Sequence, residues 1–374
     1  MFITSAACID VIIPSFRMDE GILLNIFNLP QPRDFNIKYL LICDNPDVKV
    51  PSAIQRLADE GNINLIINTV NIGSSQTRNK GIDLCTANWI LFLDDDIIPS
   101  DDLLLIYAAA ITEQSDSLGF AGITEFPQPF NTITTALVIN GVLGHFCLSR
   151  TKGRQRWSPT SNIMLNRRFL GNRRFLSELN SGGEDVELLV RNSIENNNYY
   201  LGLPAAAVKH PWWNNGKSQL ERMFRYGAGN AAILKLPHIK KYSSLDFTNT
   251  CECVFILLIA IFACVVTGGQ YTICLKLLFI AVSAEYLTNL VKAITATGKF
   301  PLVLAWQMAL HKNAQEVGFF SSLIIRGDVF LLFRRIDFGF NKPHPSPFRL
   351  NKWKIIKLTI TIVLSLSLLL NWSN

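Results

Sequence analysis

Charge is scarce in this chain. Charged residues make up 17% of its 374 residues, against about 25% in average proteins. Disorder is excluded, because 49% of the residues are hydrophobic and 10% aromatic. The basic excess is small: 35 Lys and Arg against 29 Asp and Glu leave a net charge of +6. That is too little to argue for a nucleic-acid partner, and none is expected. No C-x-x-C occurs among the eight cysteines, and Cys251-Glu252-Cys253 has no second pair at zinc-ligand spacing. Reduced cysteines in a globular part are expected. The first residues carry neither a basic stretch nor a long apolar run, so a secretory leader is not expected. Repeats and low-complexity linkers are absent, which argues against a solenoid. Long apolar runs are few and begin only at Cys251. With a mean hydropathy of +0.24, the chain reads as a soluble catalytic part joined to a modest membrane part.

What is present begins with a regular alternation. Short β-branched runs at Ile9–Ile13, Ile37–Cys43, Ile63–Asn68 and Trp89–Leu93 are separated by helix-like segments at Asp19–Asn28, Ser52–Glu60 and Ser75–Cys85. The runs are apolar on both faces, as strands of a covered parallel sheet are. This predicts an α/β fold with a doubly wound, mostly parallel sheet and a site at the strand carboxyl ends. Residues 116–215 are less regular and are read as the acceptor-side half of the same domain, so the first domain is 1–215. An amphipathic helix with a basic face and a connector follow at 216–250, read as a solvated helix or as one lying on anionic lipid.

The character then changes. Cys251–Thr267 and Tyr271–Val291 are apolar apart from Glu252, Lys276 and Glu285. They predict a transmembrane or re-entrant hairpin over 251–292. A third run, Ile355–Leu370, is flanked by Trp353 and Trp372 as an aromatic belt would be. It predicts a C-terminal membrane helix within 355–374. Between them, 293–354 reads as a basic loop with interfacial helices, Phe300–Leu310 among them. From His311 to Lys357 there are nine Lys or Arg and three acids. The positive-inside rule places that loop, and with it the first domain, on the cytoplasmic face of an inner or plasma membrane.

Three motifs carry chemistry. Leu91-Phe92-Leu93-Asp94-Asp95-Asp96 ends an apolar strand in three carboxylates. Their mutual repulsion calls for a cation, and oxygen ligands suit Mg²⁺ or Mn²⁺ holding a diphosphate; an acidic cap on the helix after Pro99 is the alternative. Asn71–Gly81 is a polar, glycine-containing loop opening a helix, a place where phosphate binds, with Arg78 positioned to pair with one. Gly182-Gly183-Glu184-Asp185 lets backbone approach a ligand closely, and Asp185 then opens a helix as a candidate proton acceptor or as an ordinary cap.

Taken together, these residues resemble glycosyltransferase family 2, the inverting nucleotide-sugar enzymes of GT-A fold, from about Cys8 to about Leu236. The pieces are Val11–Phe16, Cys43-Asp44-Asn45, the Asn71–Gly81 loop, the D-x-D-like Asp94–Asp96, Gly182–Asp185 with Leu188 and Arg191, and Arg222–Gly229, which is similar to membrane-attached members. The resemblance implies that Pro14, Ser15 and Arg17 line the nucleotide pocket and that Asp44 contacts base or ribose. It implies that Arg78 lies near the diphosphate and that Asp94 or Asp95 faces the ribose. Asp96, with Asp94, would hold the divalent cation, and Asp185 would be the catalytic base. Glu184, Trp212, Arg222 and Arg225 fall on the acceptor or diphosphate side. Gln219-Leu220-Glu221-Arg222-Met223 lacks the Trp of the processive synthases' Q-x-x-R-W. The implied activity is transfer of one sugar from a nucleotide donor to a lipid-linked or cell-surface glycan, in a polysaccharide-building or cell-envelope setting. A polyprenyl-phosphate sugar synthase and a non-enzymatic nucleotide-sugar-binding scaffold are the alternatives.

Overall fold

The computed structural model describes residues 7–179 and 182–370. The chain divides into two units. Residues up to Gln128 with Leu143–Trp212 form the first, and Pro129–Val142 with Trp213 onward form the second.

The first unit is built on a sheet of nine strands: β1 (Ala7–Ser15), β2 (Phe35–Cys43), β3 (Ile63–Ile67), β4 (Trp89–Leu93), β5 (Ile98–Pro99), β6 (Gly119–Glu125), β7 (Arg154–Gln155), β8 (Asn162–Asn166) and β9 (Tyr200–Lys209). Their order is β3-β2-β1-β4-β8-β6-β9-β5, with β7 pairing β9. The four N-terminal strands β3, β2, β1 and β4 are all parallel. β8 is antiparallel to both neighbours. The expected doubly wound, mostly parallel sheet is therefore present. The crossover helices are α1 (Glu20–Phe27), α2 (Ser52–Asp59) and α3 (Ser74–Leu84), within a residue or two of the expected segments. Ile9, Val11, Ile13, Leu41, Leu91 and Leu93 are buried in one core on one face, and Ile12, Leu40, Ile42, Ile90 and Phe92 are buried on the other, as a sheet covered on both faces requires. Buried Asp10 ties the sheet to the turn before β4, accepting from the Thr86 and Ala87 amides at 2.6 and 2.9 Å. Further along come α4 (Leu103–Glu113), α6 (Arg167–Leu170) and α7 (Glu184–Glu195).

The second unit is helical. It contains α5 (Thr132–Ile139), α8 (Leu220–Leu234), α9 (Pro237–Lys240), α10 (Thr250–Val266), α11 (Thr272–Thr297), α12 (Leu302–Ile325), α13 (Lys352–Leu370) and a small ribbon of β10 (Ser243–Leu245) with β11 (Arg334–Ile336). The amphipathic segment at 216–250 becomes α8, and one side of it is spent on protein. A Cβ on Gly227 would overlap the Gln315 carbonyl, and one on Gly318 would overlap that of Phe224, so α8 and α12 cross backbone to backbone.

The short interfacial helix expected at Phe300–Leu310 is instead the first part of α12, which runs on for 24 residues. His311 and Glu316, which made this stretch look like loop, are buried and bonded. The Gln219 amide donates to His311 Nε2 at 3.2 Å, and the Thr250 amide donates to Glu316 at 3.1 Å. By length and composition, α11 alone among the described helices is a single helix long and apolar enough to cross a membrane; the bent pair 132–139 and 144–150 would count as a second if taken as one span. α10 is a shorter apolar helix. Trp372 and the tail to Asn374 lie outside the described residues.

Candidate active site

Parallel β1, β2 and β4 bring Ser15, Cys43 and Leu93 to one edge of the sheet, so the residues that follow each strand meet there. Asp94, Asp95 and Asp96 leave β4 at this edge, and each carboxylate finds its own set of partners, with Arg17 shared by Asp95 and Asp96. Asp95 is buried. It accepts from Ser15 Oγ at 2.7 Å, from the Phe16 amide at 3.2 Å and from Arg17 at 3.0 Å. Asp94 meets Arg78 at 3.1 Å. Asp96 meets Arg17 at 2.6 Å through one oxygen and His210 Nε2 at 3.2 Å through the other.

Arg78 is buried and is the hinge of the arrangement. Its second nitrogen reaches Glu184 at 3.4 Å, so one guanidinium joins the end of β4 to the start of α7. Its Nε has no hydrogen-bond partner among the described residues. Gly183 opens α7 at a φ of 89°, a left-handed conformation that glycine adopts without strain. The following Glu184, Asp185 and Glu187 place three acids in the first turn, where the helix dipole favours negative charge.

Proton affinities follow from these contacts. Burial opposes ionisation of Asp96, but hydrogen bonds and charge from His210 and Arg17 outweigh it and hold its carboxyl down at about 2. Burial works against protonated His210 too. The bond to Asp96 more than offsets it, and His210 is raised above the ordinary histidine value. Both its ring nitrogens face acceptors, Asp96 and the Pro211 carbonyl at 2.6 Å, which suits an imidazolium. Asp94 is pushed up by burial despite Arg78. Asp185 is pushed up to about 7, by burial first and then by the neighbouring charge of Glu184, against the pull of the Val186 amide.

Residues 10–180 match the family model described as Glycosyl transferase family 2. This segment is a family 2 glycosyltransferase domain. No curated protein matches the chain in sequence. Among solved structures, the mannosyltransferase PcManGT from Pyrobaculum calidifontis, in complex with GDP-Man and Mn²⁺, is similar at 14% identity. That match covers 96% of this chain and 86% of that one, with a TM-score of 0.46. S. aureus TarS is similar at 17% identity over 61% of this chain, with a TM-score of 0.40, and this chain spans 40% of its length. GalNAc-T7 with UDP, GalNAc and Mn²⁺ is 14% identical over 64% of this chain and 50% of its own, with a TM-score of 0.45.

Ser15, Arg17, Asp95 and Asp96 form one bonded set and Arg78, Asp94 and Glu184 another, joined where Asp94 precedes Asp95 in the chain, with Pro14 half-buried beside Ser15 and Asp185 next to Glu184. Asp44, expected to contact base or ribose, holds a loop in this structure. Its carboxylate accepts from Asn68 at 2.9 Å and from the Ile72 and Gly73 amides at 2.9 and 2.7 Å. Three of about four acceptor positions are thus used to clasp the loop that opens α3. Trp212 is not available as a sugar platform. It is 5% exposed, packs on Phe126 at 5.6 Å and donates its indole N–H to the Gln128 carbonyl at 3.3 Å. Arg222 and Arg225 belong to α8 of the second unit, where Arg222 stacks over Trp213 at 4.4 Å. His145, which no motif covered, is a packing residue, stacked at 5.7 Å on Trp157 and held at about 4 by burial.

The donor set suits a hard divalent ion. Among the described residues, no three His, Cys, Asp or Glu side chains form a metal cage. Mg²⁺ seldom uses one, taking one or two carboxylates and filling its remaining positions with water and phosphate oxygens. Asp96 is partly exposed, its oxygens meeting Arg17 and His210, and Asp94 lies two residues away. Four carboxylates, Asp94, Asp95, Asp96 and Glu184, here face three cations, Arg17, Arg78 and His210, so the network retains negative charge that a divalent cation would neutralise.

Proposed function

We propose that the protein is a membrane-attached inverting glycosyltransferase, moving a sugar from a nucleoside-diphosphate donor to a hydroxyl of a lipid-linked or cell-surface glycan at the cytoplasmic face. The observation that carries this reading is the Asp94–Arg78–Glu184 bridge, which fixes the end of β4 beside the helix turn that bears Asp185. Asp96 and Asp94 would hold Mg²⁺ or Mn²⁺, with the His210 imidazolium fixing Asp96 beside them. That ion, when bound, supplies positive charge to the diphosphate leaving group.

The chain's own residues do the rest. The Asp185 carboxylate takes the proton of the acceptor hydroxyl. The freed oxygen bonds to the anomeric carbon from the face opposite the diphosphate, and the bond from that carbon to the diphosphate oxygen breaks. One displacement inverts the carbon. A carboxyl near 7 is matched to this proton transfer at neutral pH. Arg78 holds Asp94 and Glu184 in place, and Asp44 holds the loop under the donor. Membrane attachment is supported by the apolar side chains exposed on α10, α11 and α13, among them Phe262, Phe279 and Ile362.

The test is calorimetric titration of detergent-solubilised protein with UDP, GDP and dTDP, each with and without Mn²⁺. One nucleotide is expected to bind tightly only with the metal, and Asp96→Ala is expected to abolish that binding. Folded protein that binds none of the three would sink the donor-site reading.

A further inference from the structure

The second unit contains a cavity of about 400 Å³ that the transfer chemistry does not use, within the roughly 300–1,000 Å³ of small-molecule sites. Six cations line it: Lys292, Lys312, Arg335, Arg349, Lys354 and Lys357. Four of them are committed. Lys312 meets Glu285 at 2.7 Å and Glu316 at 3.4 Å, and Lys357 meets Glu285 at 2.6 Å. Lys354 pairs with Asp246, and Arg335 with Glu252. These four cations are matched by four carboxylates. Lys292 and Arg349 have no carboxylate partner among the described residues; Lys292 lies 6.0 Å over the ring of Trp353, itself part of the wall. The cavity thus carries two unmatched positive charges in a wall that also includes Met223, Phe319 and Phe338.

Its position narrows the ligand. Trp353, Lys354 and Lys357 line the cavity from the first turns of α13, and the same helix then presents Ile355, Leu358 and Ile362 outward. A molecule with an anionic head and an apolar tail matches both surfaces at once. A phosphate group satisfies the head, because it accepts from both a lysine and an arginine.

We propose that this cavity is a phosphate-binding site, filled by the headgroup of an anionic lipid whose tails lie along α13. The proposal rests on the membrane-attached reading above and is independent of the donor site.

The test uses full-length protein in detergent with EDTA, in an Asp96→Ala background so that the nucleotide site does not respond. Binding of dihexanoyl phosphatidic acid, dihexanoylglycerol and inorganic phosphate is measured by calorimetry. Phosphatidic acid is expected to bind at least tenfold more tightly than either of the others, and Lys292→Gln/Arg349→Gln is expected to remove that advantage. Neither substitution strands a carboxylate, so the variant should fold, and an unchanged melting temperature without ligand checks this. Lys292→Arg/Arg349→Lys, which keeps both charges, should retain the binding. Inorganic phosphate binding as tightly as phosphatidic acid would overturn the lipid assignment. Phosphatidic acid binding no better than dihexanoylglycerol, or equally well to wild type and the Gln variant, would overturn the site itself. Loss of nucleotide binding in the earlier titration would leave this result untouched.

Discussion

Asp185 and Asp96 are both carboxylates near the end of β4, Asp185 through the Glu184–Arg78–Asp94 bridge, and their surroundings drive them apart. Asp96 sits between Arg17 and His210 and is held near 2; Asp185 has Glu184 as its neighbour and is raised to about 7. A residue that must stay anionic and one that must exchange a proton are separated in this way. The sign of the pH dependence follows. Below about 7 Asp185 is protonated and cannot accept, so kcat/KM should fall about tenfold for each pH unit below that value and level off above it. Asp185→Asn should reduce turnover by about 10²–10⁴-fold while leaving metal-dependent nucleotide affinity unchanged. A pH–rate profile and a nucleotide titration on the same preparation check both. A flat profile between pH 5 and 7 would remove Asp185 from the role of base.

The individual site residues were legible in sequence where chemistry is local. Three carboxylates after an apolar strand, or a Gly-Gly before acids, can be read from neighbours alone. Their partners could not. Arg17 lies 78 and 79 residues from Asp95 and Asp96, and no spacing rule links His210 to Asp96. The charge of Asp95 is answered inside the protein, by Ser15 and Arg17, which the carboxylate cluster by itself does not reveal. The burial of Trp212 is likewise not visible in sequence. A Trp after a Pro looks exposed in sequence, and only the packing of Phe126 on it reveals that it is buried.

At the scale of elements, strands and their crossover helices were readable because β-branched runs and polar breaks alternate. Helix α12 was not. Its apolar periodicity is broken by His311, Lys312 and Glu316, whose partners come from α8, α10 and α11. Burial of such groups is decided by partners distant in the chain, which a local pattern does not contain. The crossing of α8 and α12 makes a prediction at this scale. Gly318→Ala puts a methyl group onto the Phe224 backbone, and overpacking of this kind costs about 1–3 kcal/mol or more. Thermal unfolding should fall by several degrees. Gly144→Ala, whose Cβ meets nothing within 4 Å, should leave it unchanged. Equal melting temperatures for the two variants would mean that the helices do not cross at these glycines.

For the second unit as a whole, the question is how deep it enters a bilayer. Glu285 on α11 ties three other helices together: Thr250 of α10 donates to it at 2.7 Å, Lys312 of α12 at 2.7 Å and Lys357 of α13 at 2.6 Å. Lys357 lies beside Glu285 while Trp353 lies beside Lys292, so α13 runs antiparallel to α11. The apolar ends of α10, α11 and α13 therefore extend the same way from one ionic layer. From Cys253 to Val266, from Glu285 back to Thr272 and from Lys357 to Leu370, each reaches about 20 Å at about 1.5 Å per residue. A hydrocarbon core is about 30 Å thick. Although α11 is long enough by count to cross, its second half is buried around Glu285 and Asn289. Lys276, the single charge between Tyr271 and Ala284, is half-buried rather than fully outward. Burying Glu285 with two lysines inside protein is tolerable, whereas drawing that cluster into lipid would cost several kcal/mol per ion. The ionic layer should then rest at the headgroups and the hairpin turn should stop inside the bilayer. In sealed vesicles, with modification by a membrane-impermeant maleimide resolved by mass spectrometry, Cys253 should react from one side of the membrane. A Gln270→Cys variant at the hairpin turn should react from neither side. Reaction of that cysteine from the opposite side would show that the hairpin crosses and that the ionic layer lies deeper than its charges allow here.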